Sequence, residues 1–241
     1  MATDKNRYVV ESAILGLLLL TGLATLGFQL SKSILNIKLL DRSVEVKGLS
    51  EREVQADIAI WPITFNMADN DLGKLYATVQ EKNQLVIAFL KEQGFEDKEI
   101  TISAPSVVDK LAREYGDSNA GNQFRYTANS TITVYSQKVD GVRNAMTHLA
   151  DLGQQGIAIA GDAYSTQYIY SKLNDIKPAM IEEATKSARA SAEKFAKDSD
   201  SSLGKIKRAS QGQFSIENRD SSTAHIKKVR VVSTVEYYLS D

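Results

Sequence analysis

The chain has 241 residues, 43% hydrophobic and 24% charged, with a formal net charge of −1 and no cysteine. That composition excludes a disulfide framework, a thiol nucleophile and a thiolate metal site, and it leaves no basic field to hold nucleic acid. It suits an ordinary globular core, and the presence of only three prolines argues against a long disordered linker.

Residues 1–11 read as a short polar tail. Residues 12–30, SAILGLLLLTGLATLGFQL, carry no charge. As a helix they reach about 28 Å, close to the roughly 30 Å of a bilayer's hydrocarbon core. In lipid every backbone polar group must be satisfied within the segment, so a single transmembrane helix is expected. Its polar members are Ser12, Thr21, Thr25 and Gln29, and Leu30 ends it. Threonine hydroxyls bond back to the preceding turn, and Gln29 reaches the headgroups. Ser12 and Gly16 form a small-xxx-small pair that permits close helix approach.

A cleaved signal peptide is the rival reading, supported by Lys5 and Arg7. The apolar run is longer than the about 7–15 residues of a signal's apolar region, and no A-x-A follows it, so an uncleaved anchor is expected. Lys5 and Arg7 before the span nearly balance Lys32, Lys38 and Arg42 after it. A tail without a fold of its own is the easier part to leave inside, which places the large domain outside.

Residues 31–42 form the membrane-proximal stalk. Ile34, Leu35, Ile37, Leu39 and Leu40 are too many aliphatics for a free stalk, and are expected against the membrane interface or a second copy. Residues 43–47 alternate as a strand, and 48–52, with Gly48, read as a turn. Residues 53–67 form a strand apolar on both faces, with Trp61 a further candidate oligomer contact and Pro62 marking an edge or bulge.

Residues 69–93 have helical spacing, with Asp69, Asn70 or Asp71 as the cap and Gly94 as the stop. Residues 98–110 form a strand broken near Pro105, 111–123 a polar loop, and 124–137 a strand rich in Thr, Tyr and Val. A short amphipathic helix at 140–152 closes at Gly153. Residues 156–170 read as a strand interrupted at Gly161 and Asp162, 174–198 as a long Ala-rich helix, and 203–216 and 226–239 as the last strands.

Strand–helix–strand–strand therefore occurs twice, over 53–137 and 156–239. The expected class is α+β: two βαββ units with antiparallel sheets and helices packed on one face, preceded by a single transmembrane helix. Residues 43–241 are expected to form that α+β domain.

No pattern announces a reaction. His148 and His225 are the only histidines, and no G-x-S-x-G elbow or Walker motif occurs. Asp69, Asn70 and Asp71 resemble a calcium loop only faintly. The sixth-position Gly is missing and Gln80 stands where the twelfth-position Glu belongs. Tyr164, Tyr168 and Tyr170 lie close together, as a sheet surface or a binding surface. No catalytic residue, cofactor or metal is expected.

Three stretches carry a family resemblance. Residues 44–65, VEVKGLSEREVQADIAIWPITF, resemble the opening signature of the bacterial SIMPL-domain family, with Gln55, Ala56 and Asp57 where that family usually has Lys-Pro-Asp. Residues 124–129, FRYTAN, resemble its second landmark. Residues 179–206, AMIEEATKSARASAEKFAKDSDSSLGKI, resemble its Ala-rich helix and Leu-Gly strand start.

The resemblance covers about residues 44–239. It implies an exported bacterial protein with no catalytic set, in a family that includes a hollow homo-oligomer and members linked to oxidative stress. The expectation is a single-pass inner-membrane protein with its large domain in the periplasm. Its partners would be the bilayer and itself, in more than two copies, as a scaffold or cage, with no nucleic acid. The alternative is a monomeric ligand-binding or envelope-stress module.

Overall fold

The structure, a computed structural model, describes residues 3–40, 42–112, 124–160 and 165–240, and within the first helix the side chains of 14–32. Helix α1 spans Thr3–Leu40, followed by strands β1, Ser43–Gln55, and β2, Ile58–Asp69. Helix α2, Leu72–Glu92, leads to β3, Ile100–Ile102, β4, Ser106–Asp109, and β5, Tyr126–Ser136. Helices α3, Val139–Thr147, and α4, Leu149–Gln154, precede β6, Gln167–Ile169. Helix α5, Leu173–Asp198, then leads to β7, Ser202–Gln211, β8, Ser215–Asn218, and β9, Ile226–Ser240. The class is α+β with antiparallel sheets, as expected. Most of the expected 111–123 loop, the Gly161 and Asp162 break and Tyr164 lie outside the described residues.

The chain forms two compact units. One comprises Met1–Ser50, Ala179–Gln213 and Val231–Asp241; the other comprises Glu51–Pro178 and Phe214–Arg230. In the first unit β9 lies between β1 and β7. Val46, Val235 and Tyr237 pack against Ala188 and Ala192 of α5.

One expectation is corrected here: β1 runs straight through the turn expected at 48–52. The physical reason is the role of Gly48. Val46, Gly48 and Ser50 alternate onto the buried face, and a β-carbon on Gly48 would lie 1.9 Å from the Ala184 carbonyl oxygen. The glycine therefore admits α5 rather than bending the strand. The Ser50 hydroxyl donates to the Glu183 carboxylate at 2.9 Å beside it.

In the second unit the sheet order is β3-β5-β2-β6, with β4 also on β5. The β2–β5 register runs from Ala59 opposite Ser136 to Asp69 opposite Tyr126. Among the described residues, the segment expected at 156–170 contributes the Phe65–Ile159 bridge and β6, and both pair with β2. Among the described residues, β2's pairing on that side stops at Ile60 and resumes near Thr64, where Ala160 donates to the Thr64 carbonyl. Pro62, which has no N–H to give, lies in that gap.

Ala59, Trp61, Ile63 and Phe65 point to one side with Ile132 and Val134, and pack on Val86, Phe89 and Leu90 of α2, Val142 and Ala145 of α3, and Leu152 of α4. Each of the larger side chains stabilises the fold by about 2–3 kcal/mol through burial. Trp61 is only 3% exposed. Its expected place among oligomer contacts is therefore corrected, because the indole faces its own helices. Asp71 caps α2 by accepting from the Lys74 N–H at 3.0 Å, and Gly94, at φ +86°, ends it.

Candidate functional site

Two features stand apart from packing, one in each unit. The first is the N-terminal helix. Ile14–Lys32 is long and apolar enough to cross a membrane, with mean hydropathy 1.8 and none of it buried by the rest of the described residues. Thr21 donates to the Leu17 carbonyl at 2.9 Å and Thr25 to the Thr21 carbonyl at 2.9 Å, so both hydroxyls are satisfied without water. Nothing comes within 4 Å of a β-carbon built on Gly16. Gln29 and Leu30 are exposed at the end of the run.

The helix continues to Leu40, two residues before the coil position Arg42. The backbone of the expected stalk is thus helical through Leu40. Side chains of Ser12, Ile34, Leu35, Ile37, Leu39 and Leu40 lie outside the described residues.

The second feature is the outward face of the β2–β5 sheet. Strand alternation puts Ile60 opposite Tyr135, Pro62 opposite Thr133, Thr64 opposite Thr131 and Asn66 opposite Asn129. Thr64 and Thr131 hydroxyls lie 3.1 Å apart, and the Asn129 amide donates to Asn66 Oδ1 at 2.9 Å. Thr101 of β3 adjoins Thr133, Ser106 and Val108 of β4 adjoin Asn129 and Thr127, and Gln167 of β6 adjoins Ile60. No outward residue of these five strands is charged. In a chain that is 24% charged, a face of this extent left uncovered by the described residues would ordinarily carry several charges. Tyr135 is 50% exposed, and Asn66, Thr101, Ser106, Asn129 and Gln167 are exposed as well.

Charges stand at both ends. At one, Arg125 makes a bidentate pair with Asp109 at 2.8 Å and lies over the Tyr126 ring at 4.7 Å. At the other, Tyr135 and Gln137 share a cleft of about 430 Å³ with Glu96, Lys98, Glu99 and Lys138. Burial alone would raise the Glu99 carboxyl. Donation from the Glu96 N–H at 2.9 Å, the Ser136 hydroxyl at 2.6 Å and Lys138 more than offsets it, holding the group below the usual carboxylate range. A second cleft of about 350 Å³ lies over Asn66, Ser106, Val108, Thr127, Ala128 and Asn129.

The histidines are not brought into a catalytic arrangement by any described contact. His148 caps the end of α3, its Nδ1 3.0 Å from the Asn144 carbonyl oxygen. The His225 ring stands edge-on to Tyr168, centroids 6.0 Å apart. Burial lowers its pKa, with nearby Arg143 adding to the effect. Tyr168 points inward and donates to Met146 Sδ, while Tyr170 follows the end of β6. The Asp69, Asn70 and Asp71 oxygens accept from the backbone N–H groups of Asp71, Arg125 and Lys74, which is turn and cap chemistry. Among the described residues no three His, Cys, Asp or Glu side chains gather as a metal site.

Sequence reasoning missed the uncharged sheet face and the buried Lys227. The apolar character of the 53–67 strand on both faces is the available signal for the face, and it lacks the neighbouring strands. The Lys227 ammonium donates to Asn218 Oδ1, and burial lowers its pKa.

No curated protein matches this chain. A family model described as "SIMPL: Protein of unknown function (DUF541)" matches residues 44–237, which include every strand from β2 to β8 and helices α2 to α5. The chain therefore belongs to the SIMPL family.

Proposed function

We propose that this is a membrane-anchored SIMPL-domain protein of the bacterial inner membrane. Its α+β body stands in the periplasm and assembles into a homo-oligomer of more than two copies. Its role is that of a scaffold, not of an enzyme.

The observation that supports this reading is α1. A 19-residue, largely apolar stretch is left uncovered by the described residues of its own chain, and the helix runs on to within two residues of the body. Lipid is the solvent that accepts such a surface. A short helical connection holds every copy at one height above the bilayer. Confinement to a plane raises the effective concentration of the copies for one another. The small net charge of −1 offers little repulsion to assembly.

Mass by light scattering in mild detergent, with carbonate extraction of membranes, tests it. The expected result is a carbonate-resistant protein whose detergent-corrected mass exceeds that of a dimer. A monomer at micromolar concentration, with circular dichroism preserved, would defeat the reading. A His148→Ala, His225→Ala double variant is expected to keep the wild-type mass.

A further inference from the structure

We infer that the outward face of the β2–β5 sheet packs against the same face of a second copy of this chain. The inference rests on the assembly reading above and names the surface that assembly uses.

The chemistry of the face selects the partner. No outward side chain on its five strands is charged. A nucleic acid, an anionic headgroup or a charged peptide would need complementary charge there, and none is offered. A twofold contact sets the residues nearest its axis against their own copies, so a charge at the centre of the face would meet its own sign. A face built of Thr64, Thr131, Thr133, Pro62 and Ile60 meets no such repulsion. Its short β-branched side chains suit two sheets stacked about 10 Å apart with strands within about 30°.

The Thr64–Thr131 and Asn66–Asn129 bonds pair some of the polar groups within one copy, which lowers the cost of desolvating the face. The charged pairs Arg125–Asp109 and Lys138–Glu99 lie at its two ends, the arrangement of a dry centre with a polar rim. Strand β5 alone reaches about 36 Å, and four strands abreast cover about 15 Å. A face of roughly 500 Å² per copy comes to about 1,000 Å² in all, at the lower end for a specific contact. Confinement by α1 adds the remaining affinity through effective concentration. One twofold face makes pairs, and joining the pairs into larger assemblies falls to α1 and its stalk.

The chain has no cysteine, so a single introduced thiol reports the contact cleanly. Full-length protein carrying Thr131→Cys, in mild detergent, is expected to crosslink to dimer with a short bismaleimide, whereas Lys186→Cys, on the exposed side of α5, is not. The Thr131→Glu, Thr133→Glu double variant is expected to lose about half the wild-type mass with an unchanged circular dichroism spectrum. If that variant fails to fold, the neutral Thr131→Cys variant still decides.

A wild type that is oligomeric, with no Thr131→Cys crosslink and no loss of mass in the double variant, overturns this inference and leaves the assembly reading standing. A monomeric wild type overturns both. Retention on a neutral polysaccharide resin that the double variant loses, without a change in mass, assigns the face to a glycan and also overturns the inference.

Discussion

Gly48 of β1 and Ala184 of α5 are closer than any side chain on the strand would allow. A β-carbon at Gly48 would lie 1.9 Å from the Ala184 carbonyl oxygen and 2.4 Å from the Ala188 backbone nitrogen. Both neighbours are backbone, so no rotamer change relieves the clash. The Ala184, Ala188, Ala192 row is fully buried along α5. Sheet and helix therefore meet at a spacing that only glycine opposite alanine permits.

Gly48→Ala should consequently destabilise the protein by about 2–3 kcal/mol or more, as overpacking against rigid backbone does. Gly153, in α4, has nothing within 4 Å of an added β-carbon. Gly153→Ala should raise stability by about 0.5–1 kcal/mol through helix propensity. Urea titrations of the two variants should move the midpoint in opposite directions. A Gly48→Ala midpoint equal to wild type would show that α5 does not press on β1.

Glu99 supplies a pH-dependent prediction. Its side chain is 11% exposed, and its carboxylate holds Lys138 at 3.2 Å, the Ser136 hydroxyl and the Glu96 N–H. The folded pKa is below the ordinary 4.5. The contribution is thus fully present above about pH 4.5 and is lost as pH falls through the lower folded value. Glu99→Gln should cost about 1–2 kcal/mol at pH 7. The gap to wild type should shrink on acidification below pH 4.5. A gap independent of pH from 7 to 3 would mean that the charge itself contributes nothing.

How far the chain could be read in advance follows from the range of the interactions involved. Helices α2 and α5 are legible in the sequence because the apolar and Ala-rich spacing of each, and the Gly94 stop of α2, are local. Gly48 reads as a turn from sequence because glycine serves both turns and close approach, and only α5, more than a hundred residues away, decides between them. Trp61 shows the same limit. Alternation from Ala59 to Phe65 separates two faces, but not which of them meets α2. The charge-free face was legible only as a fragment, since it needs the registers that set β3, β4, β5 and β6 beside β2.

Lys227 lay beyond sequence reasoning altogether, and its substitution should run against intuition. The residue is 8% exposed, and its ammonium meets an amide oxygen of Asn218 and no carboxylate among the described residues. Burial pulls its pKa down because a cation is poorly solvated there. Lys227→Met keeps the length and removes the charge. It should therefore be neutral or stabilising by about 1 kcal/mol at pH 7, since the exposed Asn218 amide is rehydrated. Thermal unfolding reads this directly. A loss of several degrees would mean that the lysine makes a favourable interaction the fold depends on.

The anchor yields the last prediction. Leu19 and Leu23 sit near the middle of Ile14–Lys32 and one helical turn apart, both exposed along α1. Each arginine at the centre of a membrane helix costs about 3 kcal/mol on insertion scales. The Leu19→Arg, Leu23→Arg double variant should therefore lose most of its carbonate-resistant fraction. Leu30→Arg places the same charge near the end of the run, where the side chain reaches the headgroups and the cost is small. That variant should remain in the membrane pellet. Comparing the two separates a membrane requirement from a general effect of added charge. If both variants stayed in the pellet as wild type does, α1 would not be the element that holds this protein to the membrane. If wild type itself were recovered in the soluble fraction beginning beyond Leu30, the segment would be a cleaved export signal instead.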